Sequence, residues 1–172
     1  MLIGILSDSH DHLVGLRKAI KIFKGRDVNM IIHCGDWVSP FTLEFFDREM
    51  AGWNIPVKSV VGNNPGDIKR IITNNTTIEW AKTVTLTFDI DRKKFIVYHG
   101  DDYAIMDALI ESQKYDVILT GHSHATRNET VGKTKIINPG STAYSCEGQI
   151  IDTASVAVYD TKTNKAEIIY LD

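Results

Sequence analysis

The sequence predicts an α/β fold, and two observations carry that prediction. In the first half of the 172-residue chain, short apolar runs alternate with segments of helical periodicity, and a β-α-β-α-β order implies a parallel sheet. In the second half the pattern switches to alternating or continuous apolar runs around tight polar turns, which implies hairpins.

The elements follow in order. Met1 to Ser7 reads as a buried strand, after which Leu13, Leu16, Ile20 and Phe23 recur at helical spacing until Gly25. Met30 to Cys34 is a second strand, followed by a helix that Ser39 caps with Pro40 at its first position, running to Ala51-Gly52. Val57 to Val61 is a third strand, and Asn64-Pro65-Gly66-Asp67 is turn chemistry before a short helix around Ile68 to Ile72. Thr83 to Ile90 and Phe95 to His99 pair as a hairpin around Asp91 to Lys94. A further helix runs around Ala104, Ala108 and Leu109, and Tyr115 to Thr120 is a strand. Lys135 to Ile137, Ser155 to Tyr159 and Ala166 to Leu171 complete the strands, with turns at Gly132-Lys133 and Thr163-Asn164. No repeat, linker or low-complexity segment interrupts the chain, and its length suits one domain over residues 1–172.

Composition narrows the function. Hydrophobic residues at 43% and charged residues at 24% are ordinary for a globular protein. Nineteen basic against twenty-two acidic side chains give a net charge of −3. No Lys/Arg stripe forms, so an extended nucleic acid is not the expected partner. The N-terminal apolar run lacks a basic leader and is cut by Asp8, and no later stretch is long enough for a membrane span. A cytoplasmic protein without a membrane partner is expected. Cys34 and Cys146 share no short motif, and Cys34 reads as a buried small hydrophobe.

Asp8-Ser9-His10, Gly35-Asp36, Gly62-Asn63, His99-Gly100 and Gly121-His122-Ser123-His124 each follow a strand-like run. An Asp/His/Asn set without thiolate suits two divalent cations of the Mn, Fe, Zn, Ni or Mg kind. The strand order would deliver every ligand to one rim of the sheet, where open α/β folds place their sites. Taken singly, Asp8 or Asp36 reads as a helix cap, Asn63 as a turn residue and His99 as an ordinary strand histidine. Together they place four of the six histidines at strand ends. The i, i+2 spacing of His122 and His124 in an extended loop points both the same way. His33, within a strand, and His12 with Asp11, at a helix start, are given no catalytic role.

In this order D-x-H, G-D, G-N, H-G and G-H-x-H, from Asp8 to Ser141, resemble the calcineurin-like metallophosphoesterases, in their compact archaeal and bacterial phosphodiesterase branch. The resemblance implies a four-layer α/β/β/α sandwich of two mixed sheets flanked by helices. It also implies two divalent ions, manganese foremost, with nickel, iron, zinc or magnesium as alternatives. Asp8, His10, Asp36 and His124 would hold one ion, and Asp36, Asn63, His99 and His122 the other, with Asp36 bridging. The hydroxide shared by the two ions is the implied nucleophile. Asp36, Asn63 and Asn64 form the candidate catalytic set. The expected substrate is a small phosphodiester, and the expected state a monomer or small homo-oligomer. Two alternatives stand beside this reading: a noncatalytic scaffold like the retromer subunit of the same fold, which the filled ligand set disfavours, and a phosphomonoesterase or nuclease of the same superfamily.

Two positions depart from the family pattern. Many relatives follow the Asn of G-N with His, Asp or Cys, whereas this chain has Asn64-Pro65. Loss of a His there removes the usual general acid, although Asn64 retains hydrogen-bonding capacity toward a phosphate. Relatives commonly read H-G-H where this chain has His99-Gly100-Asp101. An acid there disfavours dianionic monoesters. Trp37, beside Asp36, is a candidate lining residue, and Asn138-Pro139-Gly140-Ser141 is either a turn or a substrate-contacting loop.

Overall fold

Leu2–Leu6 (β1) is apolar throughout because it is covered on both faces. In chain order it is followed by α1 (Leu13–Gly25), β2 (Met30–His33), α2 (Pro40–Met50), β3 (Val57–Ser59), α3 (Ile68–Asn74), β4 (Ile78–Trp80), β5 (Thr85–Ile90) and β6 (Lys93–Tyr98). Then come α4 (Tyr103–Glu111), β7 (Val117–Leu119), β8 (Arg127–Val131), β9 (Thr134–Asn138), β10 (Ser145–Cys146), β11 (Gln149–Ile150), β12 (Ser155–Asp160) and β13 (Lys165–Tyr170). The structure is a computed structural model that describes residues 1–74, 77–146, 149–150 and 153–171.

The elements form two mixed sheets flanked by helices, with β10 and β11 paired apart as an antiparallel ribbon. One sheet has the order β13-β12-β1-β2-β3-β4, parallel from β1 to β4 and antiparallel across β12 and β13. The other has the order β5-β6-β7-β9-β8, with β6, β7 and β9 parallel and an antiparallel strand at each edge. Three apolar clusters separate four layers. Leu16, Ile20 and Phe23 of α1 and Leu43 and Phe46 of α2 pack on Leu6 and Ile31. Ile3, Ile5 and Ile32 of the first sheet meet Val97, Val117 and Leu119 of the second. Met106 of α4 covers Ile96, Ile118 and Ile136 on the far face. The period-two alternation of strand side chains thus assigns neighbouring residues to different cores. Among the described residues, no helix is long and apolar enough to cross a membrane.

The expected strands shorten at their C-terminal ends. Ser7, Cys34, Thr120 and His99 leave the ladder and begin the loops that carry the candidate ligands. The strand β4 has no counterpart in the sequence reading. It has three residues at a sheet edge, paired Val57 to Ile78 and Ser59 to Trp80, too short for a periodic signal.

Candidate metal centre

Five loops converge at the C-terminal ends of β1, β2, β3, β6 and β7, and main-chain hydrogen bonds tie them together. The Asp8 amide donates to the Gly35 carbonyl at 2.9 Å, the His10 amide to that of Asp36 at 3.2 Å, and the Asp36 amide to that of Val61 at 2.8 Å. The Gly121 amide donates to the His99 carbonyl at 2.8 Å, and the His122 amide to Asp8 Oδ2 at 3.0 Å. The crowding has a backbone cost: Asp8, His10, Asp36, His122 and His124 all have positive φ, between 39° and 66°. Left-handed geometry in non-glycine residues costs about 1–2 kcal/mol apiece and persists only where the surroundings enforce it.

Gly62 is required for a related reason. Its φ is +92°, and a Cβ there would lie 2.1 Å from Asp36 Oδ1. At Gly35, a Cβ would meet His99 Nδ1 at 2.6 Å. The glycines before Asp36 and Asn63 therefore make room for other ligands, besides turning the loop.

The structure brings all seven candidate ligands together. Asp8 Oδ1 lies 3.7 Å from His10 Nε2, 3.3 Å from His124 Nε2 and 3.9 Å from His99 Nε2. His10 and His124 bring their Nε2 atoms within 3.3 Å. Asp36 Oδ2 is 3.6 Å from His10 Nε2 and 3.4 Å from His99 Nε2. Asn63 Oδ1 stands 2.8 Å from His99 Nε2 and 2.9 Å from His122 Nδ1. Asp8, His10 and His124 form one group able to hold a metal ion, and Asp8, Asp36 and His99 another. Asp36 thus lies between the two imidazole groups, and Asp8 is within reach of both.

These residues fit divalent cations on one observation above the others. Asp8 is fully buried, yet its Oδ1 has no hydrogen-bond partner. An orphaned buried carboxylate oxygen is costly, and three imidazole nitrogens turned toward it are what a cation would share. The second nitrogen of His99 faces the Cys34 carbonyl at 2.8 Å, fixing the ring so that Nε2 points inward.

Electrostatics agree. Burial pulls the Asp8 carboxyl toward neutrality, but His10, His124 and His99 outweigh it and hold Asp8 well below the usual carboxylate range. Burial likewise opposes the charge on Asp36, and His99 and Asn64 keep its pKa below the ordinary value. Burial disfavours the His99 imidazolium, but Asp36 and Asp8 raise its pKa overall. Asp8 raises that of His124. Two concentrated negative charges thus draw positive charge onto their neighbours, the compensation that a divalent cation also supplies.

Several expectations are refined. Asn64 turns inward: its backbone amide donates to Asp36 Oδ1 at 2.8 Å and its side-chain amide to Asp36 Oδ2 at 2.9 Å. Trp37, a candidate lining residue in the sequence reading, is buried, stacked on His33 at 3.8 Å with its indole N–H donated to Ser59. It does not line the cleft. His33 accepts from the Gly35 amide through Nδ1 at 3.1 Å and contacts Ser9 Oγ through Nε2 at 3.1 Å. His12 caps α1 by accepting from the Gly15 amide, and Asp11 accepts from the Ser39 amide and from Thr42 Oγ1.

Asn138 is buried and donates to the Gly121 carbonyl at 2.8 Å and to Ser123 Oγ at 3.1 Å, while Ser141 Oγ donates to the Asp8 carbonyl at 2.8 Å. That loop braces the ligand loops. Sequence reasoning gave no bracing role to the Cys34 carbonyl, because a main-chain acceptor leaves no mark in residue identity.

The chain as a whole also matches known proteins. The model of the calcineurin-like phosphoesterase superfamily domain matches residues 1–164. The phosphodiesterase MJ0936 of Methanocaldococcus jannaschii is 33% identical over 180 aligned residues, covering 100% of both chains. A structure described as a novel archaeal phosphodiesterase superposes with a TM-score of 0.85 at 32% identity, over 99% of this chain and 100% of the other. Vps29 of Entamoeba histolytica, complexed with zinc, shares the fold at a TM-score of 0.64 and 18% identity, over 100% of both chains.

Proposed function

Because the chain belongs to the calcineurin-like phosphoesterase superfamily, a family of metal-dependent phosphoesterases, we propose that it hydrolyses small phosphodiesters with the aid of two divalent cations. The observation that carries this reading is the unpartnered, buried Asp8 Oδ1 facing three imidazole nitrogens. Asp8, His10, Asp36 and His124 would hold one ion, and Asp36, Asn63, His99 and His122 the other. When bound, such a pair lowers the pKa of a shared water toward neutrality and polarises a phosphoryl oxygen for in-line attack.

The chain's own residues do the positioning. Asp36 sits between His10 and His99, so its carboxylate addresses both groups. Asn64 fixes both Asp36 oxygens, and the Cys34 carbonyl fixes the tautomer of His99. With its amide committed to Asp36, Asn64 supplies no proton to a departing alkoxide, so diesters with good leaving groups should turn over fastest. The scaffold alternative finds no support in the ligand set, since every ligand position carries a competent donor.

The test is removal of metal by chelation, reconstitution with manganese, and a panel of phosphomonoesters, cyclic and linear diesters and short nucleic acids. Two ions bound per chain and preferential hydrolysis of bis(p-nitrophenyl) phosphate are expected. Asp36→Asn should lose more activity than loss of any single histidine. At most one bound ion, or full activity in Asp36→Asn, would overturn the reading.

A further inference from the structure

Beside His99, on the side of the rim formed by the ends of β3 and β6, a cleft of about 400 Å³ opens between α3 and the chain that joins β4 to β5. Ile72, Ala81 and Val84 wall it, and Gly62, His99 and Asp101 form the end shared with the metal centre. Its volume lies within the range of small-molecule sites, of the order of 300–1,000 Å³. Ile72 and Val84 are 39% and 68% exposed there, branched apolar surface left to solvent.

The cleft is preformed. The Ala81 amide donates to the Ser59 carbonyl at 2.8 Å, and Thr83 Oγ1 donates to the Thr85 carbonyl at 3.1 Å, pinning the connecting segment at both ends. Asp101 stands close enough to the Tyr98 hydroxyl to raise its pKa, and that hydroxyl accepts from the Asp102 amide at 2.9 Å. Apart from His99, which belongs to the metal centre, the lining carries one base, Lys82, and one acid, Asp101, which offset each other. A second phosphate group would therefore gain nothing here, whereas an uncharged ring would cover Ile72 and Val84.

We propose that this cleft holds the organic substituent of the diester: a flat aromatic group of nucleobase size, carrying hydrogen-bond donors that Asp101 accepts. The proposal rests on the phosphodiesterase reading for its connection to the metal centre, and deepens it by naming a nucleoside-type diester as substrate class. Two features join the two sites: His99 belongs to both, and Gly62 leads directly into Asn63.

The binding test uses adenosine as probe, titrated into the isotopically labelled metal-free protein and followed by amide chemical shifts. Shifts are expected at Gly62, Ala81 and Val84, and should weaken in Ile72→Ser and Val84→Ser, whose positions are exposed enough to accept serine without unfolding. The kinetic test uses the manganese-loaded protein with bis(p-nitrophenyl) phosphate. Each variant should raise KM by about fivefold, the order expected for losing one branched apolar contact in a pocket, and raise KM more than it lowers kcat. Adenosine shifts confined to other surfaces, or an unchanged KM in both variants, would overturn the proposal. If no diester is cleaved by the loaded protein, the phosphodiesterase reading fails, and the adenosine shifts alone then decide whether the cleft binds a nucleoside.

Discussion

Asn64 grips both oxygens of Asp36, its backbone amide on Oδ1 at 2.8 Å and its side-chain amide on Oδ2 at 2.9 Å. The departure from the family pattern at this position thus has a structural occupation. The residue where relatives commonly place a proton donor here orients the carboxylate that lies between the two imidazole groups.

Asn64→Ala should therefore weaken metal binding. Loss of a partner that orients a metal ligand typically costs about 10- to 100-fold in affinity, and the backbone bond to Oδ1 would survive to keep the loss at the lower end. Calorimetric titration of the metal-free variant with manganese measures it. Unchanged affinity for both ions would show that Asp36 is held well enough without the side chain.

Gly62→Ala should be far more damaging than Gly52→Ala. Both glycines have positive φ, but the added carbon at 62 would fall 2.1 Å from Asp36 Oδ1, whereas nothing lies within 4 Å at 52. The Gly52 variant should lose about 1–2 kcal/mol of stability, the left-handed penalty alone, and bind metal normally. The Gly62 variant must displace Asp36 and should lose metal. Denaturant unfolding and metal titration on both variants separate the two effects.

Much of this was legible in the residues, and the limits have physical causes. The strands could be read because a sheet buried on both faces demands continuous apolar runs, as in Leu2 to Leu6, and the ligands could be read because they follow those runs at the sheet rim. The edge strand β4 could not, since three residues carry no periodicity. Trp37 was misplaced because adjacency to Asp36 says nothing about which way an indole turns; the stack on His33 settled it. The role of Asn64 was hidden because an amide beside a metal ligand serves a phosphate or the ligand equally well until distances decide.

Acid should unfold the metal-free protein partly through His33. Burial pushes its pKa down from the usual 6.5 to about 3, so the folded state keeps it neutral while the unfolded chain takes up a proton near pH 6.5. Between those values the unfolded state binds more protons, and stability falls as the pH drops. The raised pKa values of His99 and His124 act above pH 6.5, with the opposite sign, adding stability as the pH falls toward it. The lowered values of Asp8 and Asp36 act below about 4. In the window from about pH 6 to 4.5, His33 should contribute up to about 1.4 kcal/mol per pH unit, one proton's worth. His33→Phe retains a ring against Trp37 and should lose that part of the slope, whatever its absolute stability. An equal slope in the variant, from urea unfolding at several pH values, would refute the assignment.

Asp101→Asn should shift the balance between monoesters and diesters. The carboxylate stands beside Tyr98 at the end of the cleft shared with His99, so its charge opposes the second negative charge of a phosphomonoester more than the single charge of a diester. Asparagine keeps the size of the side chain and removes the charge. The kcat/KM ratio of p-nitrophenyl phosphate to bis(p-nitrophenyl) phosphate should rise about threefold at low salt, and by less at high ionic strength, because the acid is exposed and screened. Tyr98 supplies an independent check. Burial and then Asp101 push its pKa up to about 12, so the variant should ionise one tyrosine at lower pH in an absorbance titration. A lowered tyrosine pKa with an unchanged ester ratio would mean that Asp101 is correctly placed beside Tyr98 but does not face the reacting phosphate, leaving Asn64 and its hold on Asp36 as the departure that shapes turnover.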